Sequence, residues 1–187
     1  DASDIVLQGG EIYVAGTLNG QTEAGSDGFL ARLGMDGSVA WHVLFDAGSG
    51  SAERFRALAV DAAGGAYAVG ESTMDGERSD TLIAAFSPQG ALRWSHRTPA
   101  AFATQNRYWD IELDAAGKPH VAGTATLASG STAGIYDSFA TNGRLLRREA
   151  YTGPADFAQA RALGVDSSGN VYLAGTFTAA STGFDAM

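Results

Sequence analysis

One phrase recurs four times along the chain. It reads GVDSSGNVYLAGTF at residues 164–177, AVDAAGGAYAVGES at 59–72, ELDAAGKPHVAGTA at 112–125 and, more weakly, IVLQGGEIYVAGTL at 5–18. Its closing glycines, Gly16, Gly70, Gly123 and Gly175, lie 54, 53 and 52 residues apart. A second anchor, the glycine of MDGS, PQGA and TNGR, gives Gly37, Gly90 and Gly143, spaced 53 and 53. Two anchors with one period define a tandem repeat, and a repeat of this length must be explained before any single element.

Each unit divides into four strand-like pieces. In the second copy they are residues 56–60, 66–72, 81–87 and 91–97, where apolar side chains alternate with small or polar ones. That two-residue period belongs to a pleated strand. The first two strands are joined by Asp-x-x-Gly at Asp61–Gly64, Asp114–Gly117 and Asp166–Gly169. Aspartate bonds its own backbone two residues on, and glycine accepts positive φ without a steric penalty. The first copy departs from this with LQGGE, one residue shorter and without aspartate. The expected fold is all-β: a β-propeller of four-stranded antiparallel blades, about 3.5 blades being present. Blade 1 is expected at about 4–55, blade 2 at about 56–108, blade 3 at about 109–160 and a half blade at about 161–187, all in one segment. Such an array leaves a sheet edge and an apolar face open. The expectation is that the rest of a longer chain, or self-association, completes the ring.

VDSSGNVYLAGT with a following Asp-apolar-apolar, and DTLIAAFSPQGALRWSH with its Trp94, resemble the bacterial SBBP β-propeller repeat. DGFLARLGMDGS also resembles the related delta-60 repeats. The resemblance implies a large secreted or cell-surface protein of a bacterium. It implies no shared catalytic residue.

Bulk chemistry removes several function classes. A net charge of −9 repels phosphate backbones and anionic lipid, so nucleic acid is not an expected partner. No apolar run is long enough to span a membrane. With no cysteine there is no disulfide framework and no thiolate metal site. The start, DASDIVLQGG, lacks the basic-then-apolar pattern of a signal peptide.

In a propeller the short turns gather on one face. The longer connections, expected at 17–27, 71–80, 124–134 and 176–184, gather on the other with the inter-blade links at 46–55, 98–108 and 151–160. Variable loops on a rigid repeat are where binding resides. The residue opening the innermost strand there is Arg56, Trp109 or Arg161 in the last three copies. Two guanidiniums beside an indole suit an anionic or sugar ligand, through forked bonds and stacking. The plainer alternative pairs each arginine with an acid such as Glu53 or Asp156 and packs Trp109 between blades.

Calcium is the one cofactor the sequence raises, through MDGERSD at 74–80 and through Asp27, Asp80 and Asp185, although the DxDxDG spacing is absent. The more ordinary role for these aspartates is to bond loop amides where the third strand starts. His42, His96 and His120 occupy non-equivalent positions, so no metal cluster is expected. Trp41 and Trp94 are equivalent and are expected to cover the blade edge, with glycan stacking as the functional alternative. No GxSxG, HExxH or P-loop pattern occurs. The expected function is a non-enzymatic scaffold or binding module with a protein or glycan ligand at the cell surface. The alternatives are an assembly subunit of a surface filament and a glycan-active enzyme with its site at the channel mouth.

Overall fold

The computed structural model describes residues 1–19, 25–48, 50–74, 78–98, 103–152, 158–179 and 183–186. The chain is all-β, and among the described residues there is no helix, hence none long and apolar enough to cross a membrane. The first unit holds β1 (Ala2–Gln8), β2 (Glu11–Asn19), β3 (Ser26–Gly34) and β4 (Val39–Phe45). The second holds β5 (Ser51–Val60), β6 (Ala66–Met74), β7 (Arg78–Phe86) and β8 (Leu92–Thr98). The third holds β9 (Ala103–Leu113), β10 (Pro119–Leu127), β11 (Thr132–Phe139) and β12 (Leu145–Tyr151). The fourth holds β13 (Ala158–Val165), β14 (Val171–Ala179) and β15 (Gly183–Ala186). Within each unit successive strands pair antiparallel, as a meander. One parallel bridge, Ser79 to Gln105, joins the second and third sheets.

The turns follow the side-chain chemistry read from sequence. Asp61 Oδ1 accepts the amides of Ala63 and Gly65, while Gly64 adopts φ 86° and donates to the Asp61 carbonyl. Asp114 and Asp166 repeat this pattern. In the first unit Gly9 and Gly10 both take positive φ, which closes a two-residue hairpin without aspartate.

The strands run further than expected. Residues 73–74 and 78–80 fall in the expected loop, yet Ser72 pairs with Asp80, Thr73 with Ser79 and Met74 with Arg78. Likewise β5, β9 and β13 begin at Ser51, Ala103 and Ala158, inside the expected links. Polar residues there lack the apolar alternation that marks a strand, but ladder bonds need only the backbone. The long-loop end is therefore mostly paired strand. Between β10 and β11 only residues 128–131 remain as a turn.

The units pack face to face. β5 lies against β1, β2 and β3; β9 against β5, β6 and β7; β13 against β9, β10 and β11. The first interface buries Tyr13, Leu30, Phe45, Phe55, Leu82 and Phe86. The second buries Tyr67, Val69, Ile83, Tyr108, Ile111 and Phe139. The third is smaller, with Ala122, Ala160 and Leu163. Two further devices join neighbours. Trp41 lays its ring over Gly90, where an added Cβ would come within 2.9 Å of it, and donates Nε1–H to the Pro88 carbonyl at 2.9 Å. Trp94 does the same with Gly143 and the Thr141 carbonyl. These tryptophans staple the first unit to the second and the second to the third rather than standing free for a glycan.

Candidate functional site

Beside the repeated glycine, the pairing of first and second strands skips one residue in every unit: Ser3, Arg56, Trp109 and Arg161. Each skipped residue is a β-bulge, which bends the strand and re-aims a side chain. The repeated glycine is the other half of the device. An added Cβ would lie 2.1 Å from the Asp1 carbonyl oxygen at Gly16, 1.9 Å from that of Arg54 at Gly70, 2.3 Å from that of Arg107 at Gly123 and 1.9 Å from that of Gln159 at Gly175. The bulge presses the first-strand backbone onto the second strand, and only glycine leaves room.

The structure brings the three expected site residues together. The Arg56 guanidinium lies 4.4 Å from the Trp109 ring centre and that of Arg161 lies 4.0 Å from it. One cation comes from the unit before the indole and one from the unit after. Both are at cation–π distance. A third cation, Arg107, lies 5.5 Å away. Trp109 Nε1–H donates to Thr124 Oγ1 at 3.0 Å, which fixes the ring. The neighbouring guanidiniums occupy the ring surface on which a sugar would stack, so Trp109 serves as a floor for cations.

The acid partners differ from those expected. Arg56 pairs with Glu71 through both carboxylate oxygens, at 2.5 and 2.6 Å, and not with Glu53. Glu53 is fully buried and accepts from Ser72. Asp156 lies outside the described residues. Arg161 donates twice to Gln159 Oε1, at 2.9 and 2.5 Å, and Arg107 donates to Gln105 Oε1 at 2.7 Å. Burial, then the Arg107 and Arg56 charges, pull the Arg161 guanidinium below its usual range.

Two aspartates hold neighbouring units in register here. Asp4 and Asp110, each one residue past a bulge, accept the amides of Leu58 and Leu163 in the following unit, both at 2.8 Å. Sequence reading missed these clamps, although Asp4 and Asp110 lie two periods apart. It also missed Arg107 and Glu71, which sit two residues before a bulge and one after a repeated glycine and are not identical in all copies.

The other candidates separate. Asp27 is buried, with Oδ1 meeting no donor among the described residues, and Asp80 pairs with Arg97 at 3.6 Å. Residues 75–77 of the acidic loop and the Asp185 side chain lie outside the described residues. Among the described residues no three of His, Cys, Asp or Glu gather as a metal site. His120 bonds the Tyr136 hydroxyl at 2.7 Å, His96 stacks on Phe139, and His42 lines a small apolar groove with Leu18 and Phe29. A cavity of about 550 Å³ opens at the short-turn end between Asp61, Tyr67, Arg93, Asp114 and Thr141. Its aspartates hold turn amides, and Arg93 donates to the Tyr67 hydroxyl and the Thr141 carbonyl.

No family model matches this chain, and no curated protein matches it. The resemblance to SBBP repeats rests on sequence motifs alone.

Proposed function

We propose that the chain is a β-propeller segment of SBBP type, acting as a non-enzymatic binding module of a secreted or cell-surface bacterial protein. The ligand site is the strand end where Arg56, Trp109 and Arg161 converge. The propeller reading is supported by the uniform way each first strand packs on three strands of the preceding unit. The surface location follows from the resemblance. The observation that carries the binding role is the gathering of two bulge arginines, Arg56 and Arg161, and of Arg107 around the one bulge indole, Trp109. A cleaving enzyme needs acid and base carboxylates free to act. Glu71 and Asp80 at this end are both tied to arginines.

Immobilised protein probed with glycan and peptide arrays tests this reading. Capture of a ligand that is lost in Arg56→Ala and Trp109→Ala is expected. Turnover of a labelled polysaccharide would overturn the non-enzymatic assignment.

A specific observation favours a second, compatible role in assembly. On the outer face of the first unit Ile5 and Leu7 are 59% and 63% exposed, whereas Leu58, at the position of Ile5, is 4% exposed beneath the first unit. A further unit of the same kind, from the same polypeptide or a second copy, fits that face. Native mass measured beside denatured mass separates the two sources.

A further inference from the structure

We propose that the arginine cluster at the bulges binds a doubly charged oxyanion group: sulfate, a phosphate ester or a pair of adjacent carboxylates. This rests on the binding-module reading and names its ligand chemistry. Three guanidiniums, Arg56, Arg107 and Arg161, lie within 5.5 Å of the Trp109 ring centre. One carboxylate, Glu71, is bonded among them, and it neutralises Arg56 through Nε and Nη2. Three positive charges against one negative leave two in excess, in a protein whose net charge is −9. Arg54, at the position of Arg107 in the second unit, adds a further exposed cation two residues before the Arg56 bulge.

Arg107 and Arg161 are held by neutral amide oxygens, of Gln105 and Gln159. An amide oxygen orients a guanidinium and leaves its charge uncompensated. Among the described residues neither arginine meets a carboxylate at salt-bridge distance. Burial first, and then the charges of Arg107 and Arg56, lower the proton affinity of Arg161, and a bound anion would oppose the second of these causes. A guanidinium presents a planar fork that takes two oxygens of one oxyanion. A single carboxylate neutralises one excess charge; a dianion neutralises both. The indole beneath and the paired strands around it hold the arginines in place before the ligand arrives, which lowers the ordering cost of binding.

The test is a sulfate titration followed by the indole N–H resonances of Trp41, Trp94 and Trp109, the last assigned by its loss in Trp109→Phe. Sodium chloride at matched ionic strength is the control for screening. Saturable movement of the Trp109 resonance alone is expected. In Arg107→Gln/Arg161→Gln affinity falls by about tenfold or more, the value of one or two charge-assisted bonds. Unmoved Trp41 and Trp94 resonances show that the variant is folded. Arg161→Lys, which keeps the charge and loses the fork, falls between. A Trp109 resonance that ignores sulfate, responds equally to chloride, or responds equally in the double variant overturns the inference. An array ligand retained by the double variant keeps the binding module and removes the anion. Saturable sulfate binding with blank arrays keeps the anion site and removes the module.

Discussion

Tyr67 and Tyr172 hold the same place in the second and fourth units, yet one is 1% exposed and the other 61%. Each pairs in the same register with the first strand of its unit, but Tyr67 also faces Ala85 of β7, whereas the described part of β15 pairs only with Thr176–Ala179 and does not reach Tyr172. The rest of the difference lies outside the sheet. β6 has the first unit on one face and the third on the other, whereas the Tyr172 face of β14 is bare among the described residues. The repeat thus specifies a sheet, and neighbouring sheets turn that sheet into a core. Stability in such an array is a sum of weak units and strong interfaces.

The largest effect tests that statement directly. Tyr67→Ala is expected to cost about 3–5 kcal/mol, as for a large aromatic removed from a closed core. Tyr172→Ala is expected to stay within about 1 kcal/mol, as for a surface change. Denaturant midpoints of the two variants at equal m-value measure both. Equal losses would mean that the tyrosine supports its own sheet and that the interface is secondary.

The second and third units differ in a similar way inside the molecule. Asp137 of the third is fully buried and accepts two bonds from Arg148, at 2.8 and 2.7 Å, and another from the Tyr108 hydroxyl. Burial, then the Asp137 charge, push the Tyr108 phenol far above its usual range. The second unit has Phe55, Ala84 and Ser95 in these three places and buries the first two without any ion pair. Arg148→Ala is expected to cost about 3 kcal/mol, because it strands a buried carboxylate. Transferring the whole second-unit set, Tyr108→Phe, Asp137→Ala and Arg148→Ser, is expected to restore most of that loss. A triple variant no better than Arg148→Ala would show that the third unit needs its network for more than charge balance.

Gly70 separates bulge from flat ladder. Gly70→Ala places a methyl 1.9 Å from the Arg54 carbonyl oxygen, so the bulge must open or the strands part. About 1–3 kcal/mol of destabilisation is expected, with weaker ligand binding because Arg56 is carried along. Unchanged stability with an intact cluster would mean that the bulge tolerates a side chain.

Much of this was legible in the residues. The period, the strand count, the aspartate turns and the convergence of Arg56, Trp109 and Arg161 all follow from aligned copies. The bulge did not, because an extra residue on one strand leaves the side-chain pattern of the other untouched; the invariant glycine was visible as punctuation, without its cause. Strand length was misread where polar residues such as Thr73, Ser79 and Asp80 continue a backbone ladder. Arg107 and Glu71 escaped because the site is assembled across units, and a position need not repeat to contribute. Trp41 and Trp94 were read as edge covers, since nothing in one unit shows that the next offers a glycine and a carbonyl to its indole.

The smallest expected effect compares the turns of the first and third units. Burial alone would raise the Asp114 carboxyl, but the amides of Lys118 and Ala116 and the His120 side chain hold it below its usual range. A carboxyl depressed in the folded state contributes stability above its unfolded value of about 3.9, and this is lost as pH falls through the lower folded value. Asp114→Asn keeps an oxygen for the two amides but does not titrate. It is expected to cost about 1 kcal/mol or less at neutral pH and to flatten the fall of stability below about pH 4. The first-unit turn, Gln8–Gly9–Gly10–Glu11, has no carboxylate bonded to its amides in this way, so Gln8→Ala should leave the acid limb unchanged. Stability curves of both variants between pH 2 and pH 7, roughly the range spanning this titration, decide the point. If both keep the parent's slope, acid sensitivity lies in the buried carboxylates at the unit interfaces, and the turns serve geometry alone.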